Sequence, residues 1–242
     1  MRDYAKEFEN RVAFIRDLLK SSGAKGIIYG NSGGKDSALV GILCKAACDN
    51  TVGIMMPCAS KRNFGEDMTD GLAVAEQFNI ETRTVDLTAE KELVMQTLSA
   101  VTTLNQMATS NIAPRLRMLT LYTIGAAEGR LVAGTGNRSE AYMGYFTKWG
   151  DGAYDFNPIA DLTVTEIYEF LTWLHAPENI IRKAPSAGLF EGQTDEQEMG
   201  VTYKAIDDFL LYGTVNAQDK AVIDRYHNRS EHKRKPLVTY KG

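Results

Sequence analysis

Four short runs rich in β-branched and apolar residues recur along the chain, each followed by a stretch with helical patterning. They are KGIIYG (residues 25–30), TVGIMMP (51–57), ETRTVDL (81–87) and RLVAGTG (130–136). Strands spaced by helices form βαβ crossovers, and the expected product is a parallel sheet with helices on both faces. The intervening segments agree. DSALVGILCKAA (36–47) reads as a nearly all-apolar, buried helix, and GEDMTDGLAVAEQF (65–78) and AEKELVMQTLSAV (89–101) as two more. PRLRMLTLYTIGAAEG (114–129) reads as a long helix with Pro114 in its first turn, where a missing N–H does no harm. Before the first strand, Val12, Ile15, Leu18 and Leu19 mark an amphipathic helix stopped near Gly23. Thr163 with Glu166, and Thr194 with Gln197, have capping-box spacing and open two later helices. The sequence shows no repeat, no low-complexity segment and no linker rich in Pro or Ser. The reading is one α/β domain over residues 1–242, a Rossmann-like, doubly wound parallel sheet flanked by helices.

In such sheets ligands bind beyond the carboxyl ends of the strands. GNSGGKDSALV (30–40) sits there, between a strand and a helix. Its glycines allow a sharp turn and leave amide N–H groups uncovered, and the helix presents its positive end, so the loop suits a phosphate. It is not a Walker loop: Asp36 follows Gly34-Lys35 where Ser or Thr is needed, and Tyr29 occupies the leading glycine position. A carboxylate beside a phosphate cradle makes sense with a divalent cation between the two anions. Asp36 therefore reads as a magnesium ligand, with Ser32, Gly33, Gly34 and Ser37 around a pyrophosphate. A bare Gly-Gly is more often mere turn punctuation, but Ser-Gly-Gly-x-Asp-Ser after a strand is far more specific.

Bulk properties narrow the function. The 242 residues are 44% hydrophobic and carry a net charge of −4, which argues against a general nucleic-acid binder. No apolar run approaches the roughly 20 residues that span a bilayer, and the charged start does not resemble a signal peptide. Three cysteines, Cys44, Cys48 and Cys58, lack metal-site spacing and fit a reducing cytoplasm.

SGGKDS (32–37) resembles the SGGxDS loop of the N-type ATP pyrophosphatases, which adenylate a substrate and release pyrophosphate. GTGNRSEAYMGYFTKWGDGAYDFNPIADL (134–162), KAPSAGLFEGQTDEQEMGVTYKAIDDFL (183–210) and EHKRKP (231–236) resemble, in that order, segments of the NAD synthetases. The resemblance implies an adenine nucleotide alpha hydrolase-like fold and the conversion of deamido-NAD, ATP and ammonia to NAD, AMP and pyrophosphate, with magnesium. It assigns Gly30, Asn31, Ser32, Gly33, Gly34, Lys35, Asp36, Ser37, Thr135 and Ser186 to ATP, and Asp36 with Glu140 to magnesium. Arg115, Lys148, Asp155, His232 and Lys233 fall to deamido-NAD, the last two at a subunit boundary, and Asp151 to holding and deprotonating ammonium. It also implies a homodimer, leaves Arg117 to the surface or scaffold, and makes LFEGQTDEQ (189–197) a lid. Two positions depart from the family pattern. Val164 stands where a phosphate-contacting lysine is common, which turns attention to Lys183 or Lys35, and Asn31 stands where an apolar residue is usual.

The rival within the same loop family is a pyrophosphatase that adenylates another substrate, such as a GMP-synthetase-like or tRNA-modifying enzyme. A non-catalytic nucleotide module is the second rival. The first should carry a basic RNA-binding appendage or catalytic cysteines, and the second has no need of paired acids. No stretch is left for a glutaminase of about 250 residues, larger than a typical domain, so free ammonia is the expected donor.

Overall fold

The computed structural model describes residues 2–59, 64–183 and 194–240. Helix α1 (Tyr4–Ser22) starts at Asp3, whose side chain accepts from Lys6 N, and stops at Gly23 in the left-handed region. Then follow β1 (Gly26–Gly30), α2 (Lys35–Ala47), β2 (Thr51–Met55), α3 (Glu66–Gln77), β3 (Glu81–Thr84), α4 (Thr88–Ser99), α5 (Gln106–Ser110), α6 (Ile112–Glu128) and β4 (Arg130–Ala133). The rest is helical: α7 (Arg138–Met143), α8 (Val164–Trp173), α9 (Glu178–Arg182), α10 (Asp195–Met199), α11 (Tyr203–Tyr212), α12 (Ala217–Arg229) and α13 (Glu231–Arg234).

All four expected strands form one parallel sheet in the order β3-β2-β1-β4. Ile28 of β1 is in register with Val52 on one side and Val132 on the other. The pleat sends alternate side chains to opposite faces. Ile27 and Tyr29 enter the core built with α1, α2 and α8, while Ile28, Val52, Ile54 and Val132 enter the core under α6. Each of these buried aliphatics contributes about 1.5–3 kcal/mol by leaving water, which is why a run as short as GIIY is fixed on both faces.

A third apolar cluster lies away from the sheet. Met143, Val164, Met199, Val201, Tyr203, Ile206 and Ile223 tie α7 and the start of α8 to α10–α12. Val164 is 4% exposed inside this cluster, so position 164 is a packing position in this chain. The capping box at Thr163 and Glu166 forms in both directions, and Thr194 accepts from Gln197 N.

The chain leaves β1 toward β2 and β3 on one side, whereas β4 returns on the other. This reversal is the switch point at which the loops after β1 and β4 part and open a crevice. The loop of residues 30–34 and the segment of residues 134–137 flank it.

Candidate active site

A cavity of about 930 Å³ opens at this crevice. It is lined by the loop after β1, the ends of β2 and β4, α6, α7 and the segment 145–153, and it reaches the C-terminal helices at Arg229, Ser230, His232 and Lys233.

The phosphate loop is shaped by its own residues. Gly33 has φ +70°, and a Cβ there would lie 2.0 Å from Asp67 O, so both conformation and space demand glycine. Ser37 Oγ receives a bond from Ser32 N at 3.3 Å, lies 3.1 Å from Ser32 Oγ, and donates to Gly34 O at 3.0 Å. Asn31 is explained by what it holds: its Nδ2 donates to Gly71 O at 3.1 Å and its Oδ1 accepts from Gly33 N at 3.3 Å. Gly71 has to be small for that, since a Cβ would approach Asn31 Oδ1 to 2.8 Å. Lys183 Nζ secures the outer side, donating to Gly33 O (3.1 Å), Asp67 (2.7 Å) and Asp70 (2.6 Å). Its ammonium is thus committed to the scaffold. The start of α2 follows at once, with first-turn N–H groups that have no intrahelical partner.

Asp36 and Glu140, from opposite sides of the switch point, are joined by Asn137. Asn137 is fully buried; its Nδ2 donates to Asp36 Oδ1 at 3.0 Å, and its Oδ1 and N form a capping box with Glu140. Burial raises the Glu140 pKa well above the ordinary carboxylate range, and the charge of Asp36 pushes it further up. Two carboxylates that repel each other inside a cavity fit a divalent cation, and magnesium is commonly held by one or two carboxylates with phosphates completing its shell. Asn137 was not anticipated from the sequence, although N-R-S-E has the same capping spacing as Thr163–Glu166.

The far end is assembled from three segments. Thr147 N donates to Asp151 Oδ1 at 3.0 Å, and Thr147 Oγ1 bonds Asn111 at the head of α6 at 2.5 Å. Asp151 is open to the cavity's water, yet the protein packed round its carboxylate raises its pKa, with the Thr147 N–H, Lys233 and Arg117 working the other way. Burial lowers the Lys233 pKa, and that ammonium donates to Gly144 O at 2.8 Å and Phe146 O at 2.5 Å. Lys148 Nζ donates to His232 O at 2.8 Å. Gly144, at φ +65°, lets Ser230 approach: a Cβ would lie 2.0 Å from Ser230 Cβ. His232 and Lys233 thereby line the cavity of their own chain.

Other expected residues fall differently. Gly30, Asn31, Ser32, Gly34, Lys35, Thr135, Glu140, Asp151, His232 and Lys233 line the cavity; Gly33, Asp36 and Ser37 lie just behind its wall, and Arg115, Lys148 and Asp155 do not line it either. Arg115 is exposed and bonds only weakly to Lys148 O, at 3.4 Å. Asp155 braces β4: it accepts from Val132 N at 2.8 Å and from Tyr122 OH at 3.2 Å. Burial, helped by that carboxylate, raises the Tyr122 hydroxyl to about 12. Arg117, expected to be surface or scaffold, lines the cavity instead; burial lowers its pKa, and its Nε donates to Met56 O at 3.1 Å. Ser186 and most of the expected lid, residues 189–193, lie outside the described residues.

Comparison with known proteins agrees with this geometry. The NAD synthase family model matches residues 7–237. The NH(3)-dependent NAD(+) synthetase of Carboxydothermus hydrogenoformans is 44% identical, with 96% of each chain covered. Among solved structures, the NMN synthetase from Francisella tularensis superposes with a TM-score of 0.94 at 38% identity, covering all of both chains. The NH3-dependent NAD synthetase from Campylobacter jejuni, in complex with the nitrate ion, gives 0.81 at 30% identity, again over all of both chains.

Proposed function

The chain belongs to the NAD synthase family, and from that premise we propose that it amidates the nicotinate carboxylate of deamido-NAD, using ATP and ammonia and forming NAD, AMP and pyrophosphate. The observation that carries the reading is the position of the Asp36–Asn137–Glu140 unit beside the phosphate loop, with Glu140 lining the same cavity as Asp151.

The reaction proceeds in two steps. A carboxylate oxygen of the acceptor attacks the α-phosphorus of ATP, and the bond from that phosphorus to the bridging oxygen breaks, releasing pyrophosphate. Loop amides and the start of α2 receive the leaving charge. Asp36 and Glu140 would hold magnesium, which would neutralise charge developing on the phosphates. Ammonia then attacks the carboxyl carbon, AMP leaves with one former carboxylate oxygen, and Asp151 takes the proton that nitrogen loses. A raised pKa suits Asp151 to that task, because a base works best near the working pH. Lys233 and Arg229 at the far end, beside His232, place positive charge where a nucleotide acceptor's phosphate would lie.

The functional unit is a homodimer. Leu93, Leu98, Val101, Met107 and Leu119 on and around α4–α6 are all large, apolar and exposed, Val101 and Met107 to 78% and 71%. A face of this kind marks an interface. Arg115 stands on the same helix, α6, outside its own cavity, and serves the partner's site.

The 0.94 superposition on an NMN synthetase favours a second acceptor, nicotinate mononucleotide, which carries the same carboxylate. The experiment is a direct competition of the two acceptors at equal concentration with ATP, magnesium and ammonia, read by product identity. NAD as the main product supports the first reading, and the amidated mononucleotide as the main product replaces it with the second.

A further inference from the structure

The carboxylate pair already has a partner. Lys35, the first residue of α2, is buried at 6% exposure, and its Nζ lies 2.8 Å from Asp36 Oδ2. The ammonium stands over two rings, 5.7 Å from the centre of Tyr203 and 6.0 Å from that of Tyr168. Burial works against its charge, but Asp36 and Glu140 outweigh that effect. Tyr203 is itself buried, and its hydroxyl donates to the buried Asp195 at 3.1 Å, so the wall behind Lys35 is fixed. The side chain lines the same cavity as the phosphate loop.

We propose that Lys35 is a built-in counter-ion that keeps the Asp36–Glu140 pair closed to a divalent cation until the phosphates of a nucleotide draw its ammonium away. A metal ion approaching the free protein meets a like charge 2.8 Å from one of the oxygens it needs. A polyphosphate offers that ammonium a more highly charged partner in the same cavity, and the two carboxylates are then released to the cation that accompanies the nucleotide. Position 164, buried in the third cluster, has no part in this exchange. The inference rests on the ATP-using reading above, and its first test involves no nucleotide.

Mn²⁺ serves as the probe, followed by electron paramagnetic resonance on the full chain. The free Lys35→Met variant should bind Mn²⁺ at least about tenfold more tightly than the free wild-type protein, the minimum expected when a positive charge a few ångströms from a carboxylate is removed. With Mn²⁺ saturating, the same variant should bind a non-hydrolysable ATP analogue more weakly. Equal or weaker Mn²⁺ binding by the variant overturns the proposal, and a purely packing role for Lys35 would give that result. Wild-type thermal shifts keep the test open if the variant fails to fold. Mg²⁺ alone should leave the melting temperature nearly unchanged, and Mg²⁺ with the analogue should raise it. A full shift from Mg²⁺ alone overturns the proposal. No shift from the analogue with either ion strikes the ATP reading instead, and leaves the Mn²⁺ comparison to decide Lys35.

Discussion

At one end of the cavity, residues 30–37 follow one another along the chain and shape the phosphate loop with their own hydroxyls and a glycine at positive φ. At the other end, Asp151, Thr147, Asn111, Ser230 and Lys233 come from three segments spread over more than a hundred residues, joined by α6, α7 and the C-terminal helices. The first end reads as a local motif because its glycines and hydroxyls are adjacent in sequence, even though Gly71 and Lys183 brace it from distant segments. The second exists only once the third apolar cluster has formed and Gly144 has let Ser230 in. On the proposed function, the rigid anion cradle is the local end and acceptor recognition falls to the assembled end.

The largest effects should come from the carboxylates that bridge the two ends. Asp36→Asn and Glu140→Gln should each lower pyrophosphate release by about 10²–10³-fold, the usual scale for losing one electrostatic contributor at a transition state. Stability should move the other way for Glu140. Its raised folded pKa means that the native state holds a proton more tightly than the unfolded chain, so stability falls as pH rises from the ordinary carboxylate range through the raised value. Metal-free Glu140→Gln should lose that slope and be at least as stable as wild type at neutral pH, as urea titrations at several pH values would show. A variant that loses both activity and stability would mean that Glu140 acts through packing.

Asp151→Asn separates the two ends. Pyrophosphate release should persist while amide formation falls by about 10²-fold, the lower range for a lost general base. At a fixed concentration of free ammonia, wild-type amide formation should rise with pH as Asp151 loses its proton, at a pH above the ordinary aspartate range. The Asn variant should show no such rise. Equal loss of both steps would place Asp151 in the first half of the reaction.

Two glycines allow the ends to be broken one at a time. Gly33→Ala should cost about 1–3 kcal/mol for the left-handed backbone alone and abolish ATP binding, because its Cβ meets the backbone of Asp67. Gly144→Ala should cost a similar amount yet weaken the acceptor rather than ATP, since it pushes Ser230 and the segment after it outward. Isothermal titration with each ligand distinguishes them. Identical profiles would contradict the division into two ends.

The smallest effect tests the dimer. Arg115→Ala should leave stability unchanged, as expected for an exposed side chain, and raise the acceptor KM. Mixing it with Asp36→Asn under subunit exchange should restore activity, because one composite site then receives Asp36 from the first chain and Arg115 from the second. Mixed dimers without recovered activity would confine Arg115 to its own chain.

What could be read from the sequence follows the same division. The strands and the phosphate loop are local and were legible, down to the failure of the Walker pattern at Asp36 and Tyr29. Asn137 carried a readable signal, the capping spacing to Glu140, that only packing against Asp36 makes functional. Arg117 could not be told from Arg115, because the face that α6 turns to the cavity is set by its seat on the sheet. The departure at Asn31 is explained by Gly71, whose carbonyl it holds from forty residues away and which no local pattern pairs with it. Val164 is filled in by the third cluster, which no local pattern in the sequence announces.

In the proposed reaction a carboxylate oxygen is transferred to phosphorus at the local end before nitrogen arrives from the assembled end. The direct measurement is a single turnover with deamido-NAD labelled with ¹⁸O in both oxygens of its nicotinate carboxylate, with ATP, magnesium and ammonia present, and mass spectrometry of the products. One ¹⁸O is expected in the phosphate of AMP, one retained in the amide, and none in pyrophosphate. Label in pyrophosphate, or an AMP phosphate free of label while amide is formed, would contradict that order of steps.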